Sequence, residues 1–291
     1  MRFHARRQRF RAILAGPACV RPASVYDPLT ARMAETLGFP MMMLAGSTAS
    51  LVLLGAPDLV LVTMDEFAGL AARICRAGEL PLLVDADHGF GGALHAARTV
   101  EALEAAGVAG LTLEDTELPP AYGSAGPRLI GHAEAQGKIA AAVAARADPD
   151  LVVVGRTSAL TVTGTEDCVA RLKLFAAAGA DALFLPAIAS IEQLEAVSAA
   201  TGLPLIAGAL GPGLDDPVLL ERHRLRICLQ GHLPLQASIA AAHSALSALR
   251  DGVPPASRGA AALPDEVLAR LTRRDDYARM ARDYMGQPGK G

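Results

Sequence analysis

Asp85-Ala86-Asp87-His88-Gly89 follows the apolar run Pro81-Leu82-Leu83-Val84, so two carboxylates stand where a buried strand ends. Alternate residues of a strand share a face, which lets Asp85 and Asp87 project into one site while His88 points away from them. A second apolar run, Gly110-Leu111-Thr112-Leu113, ends the same way, in Glu114-Asp115. A single acidic strand end is ordinarily a solvated turn. Two on neighbouring strands indicate a platform of Asp85, Asp87 and Glu114, whose oxygens suit a hard divalent cation such as Mg2+.

The other strand ends offer Ser24, Gly46-Ser47-Thr48, Arg156-Thr157-Ser158 and Gly231-His232. Arg156 is a fixed cation able to hold a carboxylate bidentately. The small residues at Gly46-Ser47 can lend backbone N–H groups to an anion. Each also has a plainer use: His232 suits a helix cap, Ser47 an N-cap, and Arg156 a structural pair with Glu114 or Asp85. Three chemistries are excluded. Lys138 and Lys173 fall in helical stretches and Lys290 in the tail, so no lysine stands at a strand end for a Schiff base. Clustered His or Cys ligands for zinc and a Walker A motif are also missing.

Positioning such groups needs a repeating frame, and short apolar runs do alternate with Ala-rich stretches of helical period. Residues 18–24, 41–45, 82–85, 110–114, 151–155, 181–185, 204–207 and 226–230 read as strands. Residues 28–37, 65–77, 93–106, 132–145, 166–178 and 191–200 read as helices, several with glycine just beyond the last turn. Eight strands with intervening helices predict an α/β fold, a (β/α)8 TIM-type barrel; a doubly wound open sheet is the alternative. The Gly89-Phe90-Gly91-Gly92 cluster does not fit a dinucleotide fingerprint. Residues 1–291 read as one barrel domain, with 252–291 a C-terminal linker and helical extension. Within that tail 252–264 is rich in Pro, Gly, Ser and Ala, and 266–285 is charged and helical. Apolar residues nearly encircle 237–249, which asks for burial on more than one side and so for an oligomer.

At 291 residues, 52% hydrophobic and 20% charged with net charge −3, the chain suits one large globular domain. It lacks the concentrated basic face of a nucleic-acid binder. Arg2, Arg6, Arg7, Arg9 and Arg11 read as an exposed N-terminal helix. No signal peptide or membrane span is visible, since the stretch near Leu51 to Met64 is broken by Gly55, Pro57 and Asp58. Cys19, Cys75, Cys168 and Cys228 are far apart and read as thiols in a reducing cytoplasm.

Taken in order, Ala23-Ser24-Val25-Tyr26-Asp27-Pro28, Gly46-Ser47-Thr48-Ala49-Ser50, Asp85-Ala86-Asp87-His88-Gly89, Glu114-Asp115-Thr116, Arg156-Thr157 and Gly231-His232 resemble the isocitrate lyase and phosphoenolpyruvate mutase superfamily. The similarity runs from about Arg9 to Met285, and Gly231-His232 tilts it towards the oxaloacetate decarboxylase branch. The resemblance implies a (β/α)8 barrel whose last helix is exchanged between subunits, usually in a homotetramer. It implies Mg2+, with Mn2+ as a substitute, and decarboxylation of a small 2-oxo dicarboxylate, oxaloacetate, to pyruvate and CO2 through a metal-stabilised enolate. Asp85 would be the direct ligand, with Asp87 and Glu114 holding metal-bound waters. Ser47, with Gly46 and Thr48, would bind the 2-oxo carboxylate, and Arg156 and His232 would contact the substrate as the catalytic pair. Asp58 matches a loop acid of the family, and Asp58, His88 and Asp115 are expected behind the ligands.

The chain also departs from its relatives. Residues 122–130 lack the cysteine and lysines of the isocitrate lyase loop. Ser158 replaces a frequent asparagine, and Gly208-Ala209-Leu210-Gly211 replaces a polar, aromatic stretch. The alternatives are a C–C or P–C lyase acting on a related substituted 2-hydroxy or 2-oxo diacid, and a metal-binding paralogue without turnover.

Overall fold

A computed structural model describes residues 3–253 and 263–286. The chain divides into two compact units, Met1–Leu233 and Pro234–Gly291. In the first, eight parallel strands lie side by side in sequence order: β1 (Ala23–Ser24), β2 (Met42–Leu44), β3 (Leu82–Asp85), β4 (Gly110–Glu114), β5 (Val152–Arg156), β6 (Ala182–Ile188), β7 (Leu205–Leu210) and β8 (Leu225–Cys228). A parallel bridge between Val20 and Ile227 links the segment before β1 to β8. The helix α1 (His4–Ala15) precedes the sheet. Between the strands run α2 (Pro28–Thr36), α3 (Gly46–Leu54), α4 (Met64–Ala77), α5 (Ala93–Ala106), α6 (His132–Ala145), α7 (Ala159–Val162), α8 (Thr165–Ala177), α9 (Ile191–Ala200) and α10 (Pro217–Arg222). This is the (β/α)8 architecture the alternation predicts.

Period-two alternation divides the core into two layers. Met41, Met43, Leu83, Val152, Val154, Ala182, Phe184, Ile206 and Ile227 form one buried cluster with Phe10 inside the barrel. Met42, Leu44, Leu82, Val84, Leu111, Leu113, Val153 and Leu183 form the other, packed on helix residues such as Phe67, Ile74, Leu103, Ile139 and Phe175. The same alternation decides where the chemistry goes. Asp85 is the next inward position after Leu83, Glu114 after Thr112, and Arg156 after Val154, with Glu114 and Arg156 paired across β4 and β5.

The helix α1 is only partly exposed as expected: Arg9 faces solvent, but Arg6 and Arg7 are buried. The last carbonyls of a helix lack internal partners and favour a cation. Arg6 donates to the Cys75 and Gly78 carbonyls at the end of α4, at 2.6 and 2.7 Å. Arg7 donates to the Glu104 carbonyl near the end of α5 at 2.8 Å and pairs with Asp148 at 2.8 Å. Between these anchors Phe10 enters the barrel over Gly110, where a Cβ would stand 2.4 Å from its ring. Asp27, within the first motif, has a structural role: with Thr30 it forms the capping box of α2.

After β8 come α11 (Leu233–Arg250), α12 (Asp265–Thr272) and α13 (Arg274–Met285). The charged tail is thus two helices, separated at Arg273 with φ +57°. Most of the expected linker, 254–262, lies outside the described residues. Among those residues no helix is long and apolar enough to cross a membrane.

Candidate active site

Beyond the C-terminal ends of the strands a cavity of about 550 Å³ opens, lined by Ser47, Asp58, Asp85, Asp87, Glu114, Arg156 and His232. Its walls include Leu118, Val162, Phe184, Pro186 and Leu229, with Ser158 and Ala209 among the small residues. The rims of barrel strands are the usual place for such a site.

Asp85 is held by the Thr112 hydroxyl, which donates to its carboxylate at 2.7 Å, and it pairs with Arg156. Glu114 accepts from the Thr116 hydroxyl at 3.0 Å and lies 3.3 Å from Arg156 Nε. The Arg156 guanidinium also sits over the Phe184 ring, 5.4 Å from its centre. Asp87 gets there differently from the sequence expectation. The strand stops at Asp85, and Asp87 takes the left-handed conformation, φ +47°, so a turn rather than strand alternation brings it back to the cavity. Its carbonyl accepts from the Glu114 N–H at 2.8 Å, tying the two strand ends together. Its carboxylate rests on Gly46, where a Cβ would stand 2.7 Å from Oδ1.

These acids sit in a field that favours neutralisation. Burial, then the Asp85, Asp58 and Glu114 charges, push Asp87 up to about 8. Burial also raises Glu114 against the pull of Arg156, and raises Asp58 together with the Asp85 charge. Burial works against the charge on Arg156, but Asp85 and Glu114 more than offset it and the guanidinium stays charged. One arginine does not balance four clustered carboxylates. An oxygen-rich cluster with surplus negative charge therefore fits a divalent cation.

A pH dependence follows. Protonated Asp87 stabilises the metal-free fold at low pH, and that contribution is lost as pH rises from its ordinary value of 3.8 to about 8. A cation must displace the same proton, so Mn2+ affinity should rise by up to ~10-fold per pH unit below pH 8 and level off above it. Titration calorimetry between pH 6 and 9 measures this. A flat affinity across that range would contradict the assignment of Asp87.

Among the described residues, His4, Asp148 and Asp150 form the group whose ligand atoms all lie within 4.8 Å of one another. They are set on α1 and ahead of β5, away from the cavity, and Asp148 already holds Arg7 at 2.8 Å.

The remaining candidates separate. Ser47 lines the cavity from the first turn of α3, whose leading N–H groups have no partner within the helix; Ala45, not Ser47, is the N-cap. Thr48 is buried with its hydroxyl on the Ala45 carbonyl, and Gly46 serves as the floor under Asp87. His88 is buried beside Phe90 outside the lining, and burial, aided by Lys138, lowers it to about 4, so it is uncharged. Asp115 is also outside. It accepts from Thr157 at 3.0 Å and Arg171 at 2.9 Å, and its carbonyl takes the Ile130 N–H at 2.9 Å, which closes the base of the 116–130 loop.

Several supporting residues escaped the sequence reading. Thr112 and Phe184 are inward strand positions that alternation could have identified. Lys138 donates to the His88 and Glu114 carbonyls from α6 at 2.9 and 3.4 Å. Its signal was a charge placed between the apolar positions Ala135, Ile139 and Ala142. Thr116 stands in the Glu114-Asp115-Thr116 motif, though nothing local marks its hydroxyl as a partner of Glu114, and Arg171 left no comparable trace. The glycines of 208–211 answer to backbone packing. A Cβ at Gly208 would lie 2.4 Å from the Pro186 carbonyl oxygen, and one at Gly211 2.2 Å from that of Ala189.

Residues 10–250 match the family model described as phosphoenolpyruvate phosphomutase. An oxaloacetate decarboxylase of Bradyrhizobium diazoefficiens (strain USDA 110) is 47% identical over 287 residues, covering 98% of this chain and 99% of that protein. A structure of oxaloacetate acetylhydrolase in complex with the inhibitor 3,3-difluorooxalacetate superposes with TM-score 0.82 at 30% identity, covering 98% of each chain. Phosphonopyruvate hydrolase in complex with oxalate and Mg2+ superposes with TM-score 0.84 at 26% identity, covering 96% of this chain and 99% of that one.

Proposed function

The chain belongs to the phosphoenolpyruvate phosphomutase family, within the isocitrate lyase superfamily, and from that premise we propose that it decarboxylates oxaloacetate to pyruvate and CO2 with Mg2+, or Mn2+ in its place. One observation carries the reading. The cavity combines Asp85, Asp87 and Glu114 with Arg156 and His232, and its lining includes neither lysine nor cysteine. Loss of a β-carboxylate needs an electron sink and fixed carboxylates but no protein nucleophile. A divalent cation bound here supplies Lewis acidity to the 2-oxo group.

Asp85 would be the direct ligand, with Asp87 and Glu114 placed around the same cavity to hold metal-bound waters. The first turn of α3, with Ser47, receives the C1 carboxylate at its unpaired N–H groups. Arg156 clamps a substrate carboxylate through its planar fork, and His232 contacts the substrate from the β8 side. When C4 leaves as CO2, its bonding pair passes to C3 and into the 2-oxo group, and solvent then protonates C3. Asp58, exposed on the rim, faces the same space. The exposed apolar residues Ile239, Leu246 and Leu249 of α11 support a homo-oligomer; a tetramer with its last barrel helix exchanged, working in the cytoplasm, completes the proposal.

A substrate panel tests the reading. With Mg2+, oxaloacetate should yield pyruvate and CO2 in equal amounts, while 2,3-dimethylmalate stays intact. Cleavage of dimethylmalate without action on oxaloacetate would transfer the site to C–C lyase chemistry on a substituted diacid, with Ser158 and Ala209 providing the room.

A further inference from the structure

Ser24 stands at the end of β1, behind His232 and outside the cavity lining, with its Oγ 3.0 Å from His232 Nδ1. The sheet order begins at β1 and ends at β8, so this contact spans the seam of the barrel. Lower on the seam, the Val20 N–H donates to the Arg226 carbonyl at 2.8 Å and the Cys228 N–H to the Val20 carbonyl at 3.0 Å. Gly231, with φ +70°, turns the chain out of β8 so that the next residue can cross towards β1.

We propose that Ser24 is the positioning residue of His232, donating to Nδ1 and thereby presenting Nε2–H to the substrate. The inference rests on the reading of His232 as a substrate contact. Oxaloacetate carries only acceptor oxygens at neutral pH, so an imidazole that binds it must donate. A neutral imidazole has a single N–H, and if Nε2 carries it, Nδ1 is a bare acceptor that needs a donor of its own. The Ser24 hydroxyl is that donor, and its rotor aligns without moving the backbone. Burial lowers His232 against the Asp85 and Asp58 charges, in keeping with the neutral ring the arrangement requires. Without the hydroxyl the ring is free to exchange tautomers and to rotate away from the cavity.

Nitrogen-15 NMR of histidine-labelled protein reads the tautomer directly. Wild type and Ser24→Thr should show His232 as Nε2–H, and Ser24→Ala a mixture of the two forms. Ser24→Ala should lower kcat/KM for oxaloacetate about 10- to 100-fold, by analogy with the loss seen when the outer hydrogen-bond partner of a metal-bound imidazole is removed. Ser24→Thr should restore it, and the melting temperature and Mn2+ affinity of both variants should match wild type. In a His232→Ala background Ser24→Ala should have no further effect, because the residue acts through the imidazole. Full additivity of the two substitutions, or an unchanged tautomer in Ser24→Ala, would overturn the proposal. Should His232→Ala itself leave kcat/KM intact, the substrate role of His232 fails instead, while the NMR spectrum still reports whether Ser24 orients the ring.

Discussion

Asp85→Ala should abolish turnover and divalent cation binding while leaving the barrel folded. Asp85 lies at the cavity surface, so its loss leaves no void in either hydrophobic layer. Arg156 would still have Glu114 at 3.3 Å and the Phe184 ring beneath it. What disappears is the inward carboxylate that Thr112 holds at the mouth of β3. Losing Lewis-acid assistance to an enolising ketone should cost roughly 10³-fold or more in rate. Asp85→Asn is the sharper variant, because its amide oxygen can still accept from Thr112 at the same place while the charge is gone. Calorimetry with Mn2+ and a thermal melt on both variants separate a lost site from a lost fold. Retained Mn2+ binding in Asp85→Asn would move the direct ligand elsewhere in the cluster.

Arg156→Ala should reduce kcat/KM for oxaloacetate by roughly two to four orders of magnitude, the cost of removing a desolvated bidentate partner from a bound carboxylate. Cation binding should respond in the opposite sense to Asp85→Ala. Arg156 is the counter-charge of Asp85 and Glu114, so deleting it leaves the carboxylates less compensated, and Mn2+ affinity should hold or increase. Arg156→Lys should not rescue activity, since a point ammonium cannot span Asp85, Glu114 and a substrate with a planar fork. Steady-state kinetics beside Mn2+ titration check both halves. Near-normal kcat/KM in Arg156→Ala would make the guanidinium a purely structural partner of the two carboxylates.

Where local pattern and tertiary context agree, the chain is legible. The ends of β3, β4, α5, α6 and α9 fall where the apolar periods place them, because these elements bury one continuous face and finish at turn residues. Asp85, Glu114 and Arg156 are legible for the same reason: inward alternation carries each one residue pair beyond the core. Elsewhere the signals are not local. Pro22 breaks the run that reads as a first strand, so only Ala23–Ser24 pair with β2 while Val20 bridges to β8. The helix α3 begins without a side-chain cap, so it carries no start signal and is absent from the helices that the periods predict.

Arg6 and Arg7 read as part of a solvated face because their partners, the carbonyls at 75, 78, 104 and 108 and the Asp148 carboxylate, lie far away along the chain. Asp87 reached the site by a left-handed turn that strand periodicity does not encode. Thr48, His88 and Asp115 were adjacent to site residues in sequence, yet their side chains face the core side of the same turns.

The central claim is that this cavity decarboxylates oxaloacetate with a divalent cation held by Asp85. The most direct measurement follows pyruvate and CO2 release from oxaloacetate by purified protein with Mg2+, beside Mg2+ alone, excess chelator and the Asp85→Asn variant. Release should be saturable, equimolar and far above the rate with Mg2+ alone, and abolished by chelator and by Asp85→Asn. A protein rate no greater than that of free Mg2+, or one that persists in chelator, would contradict the claim.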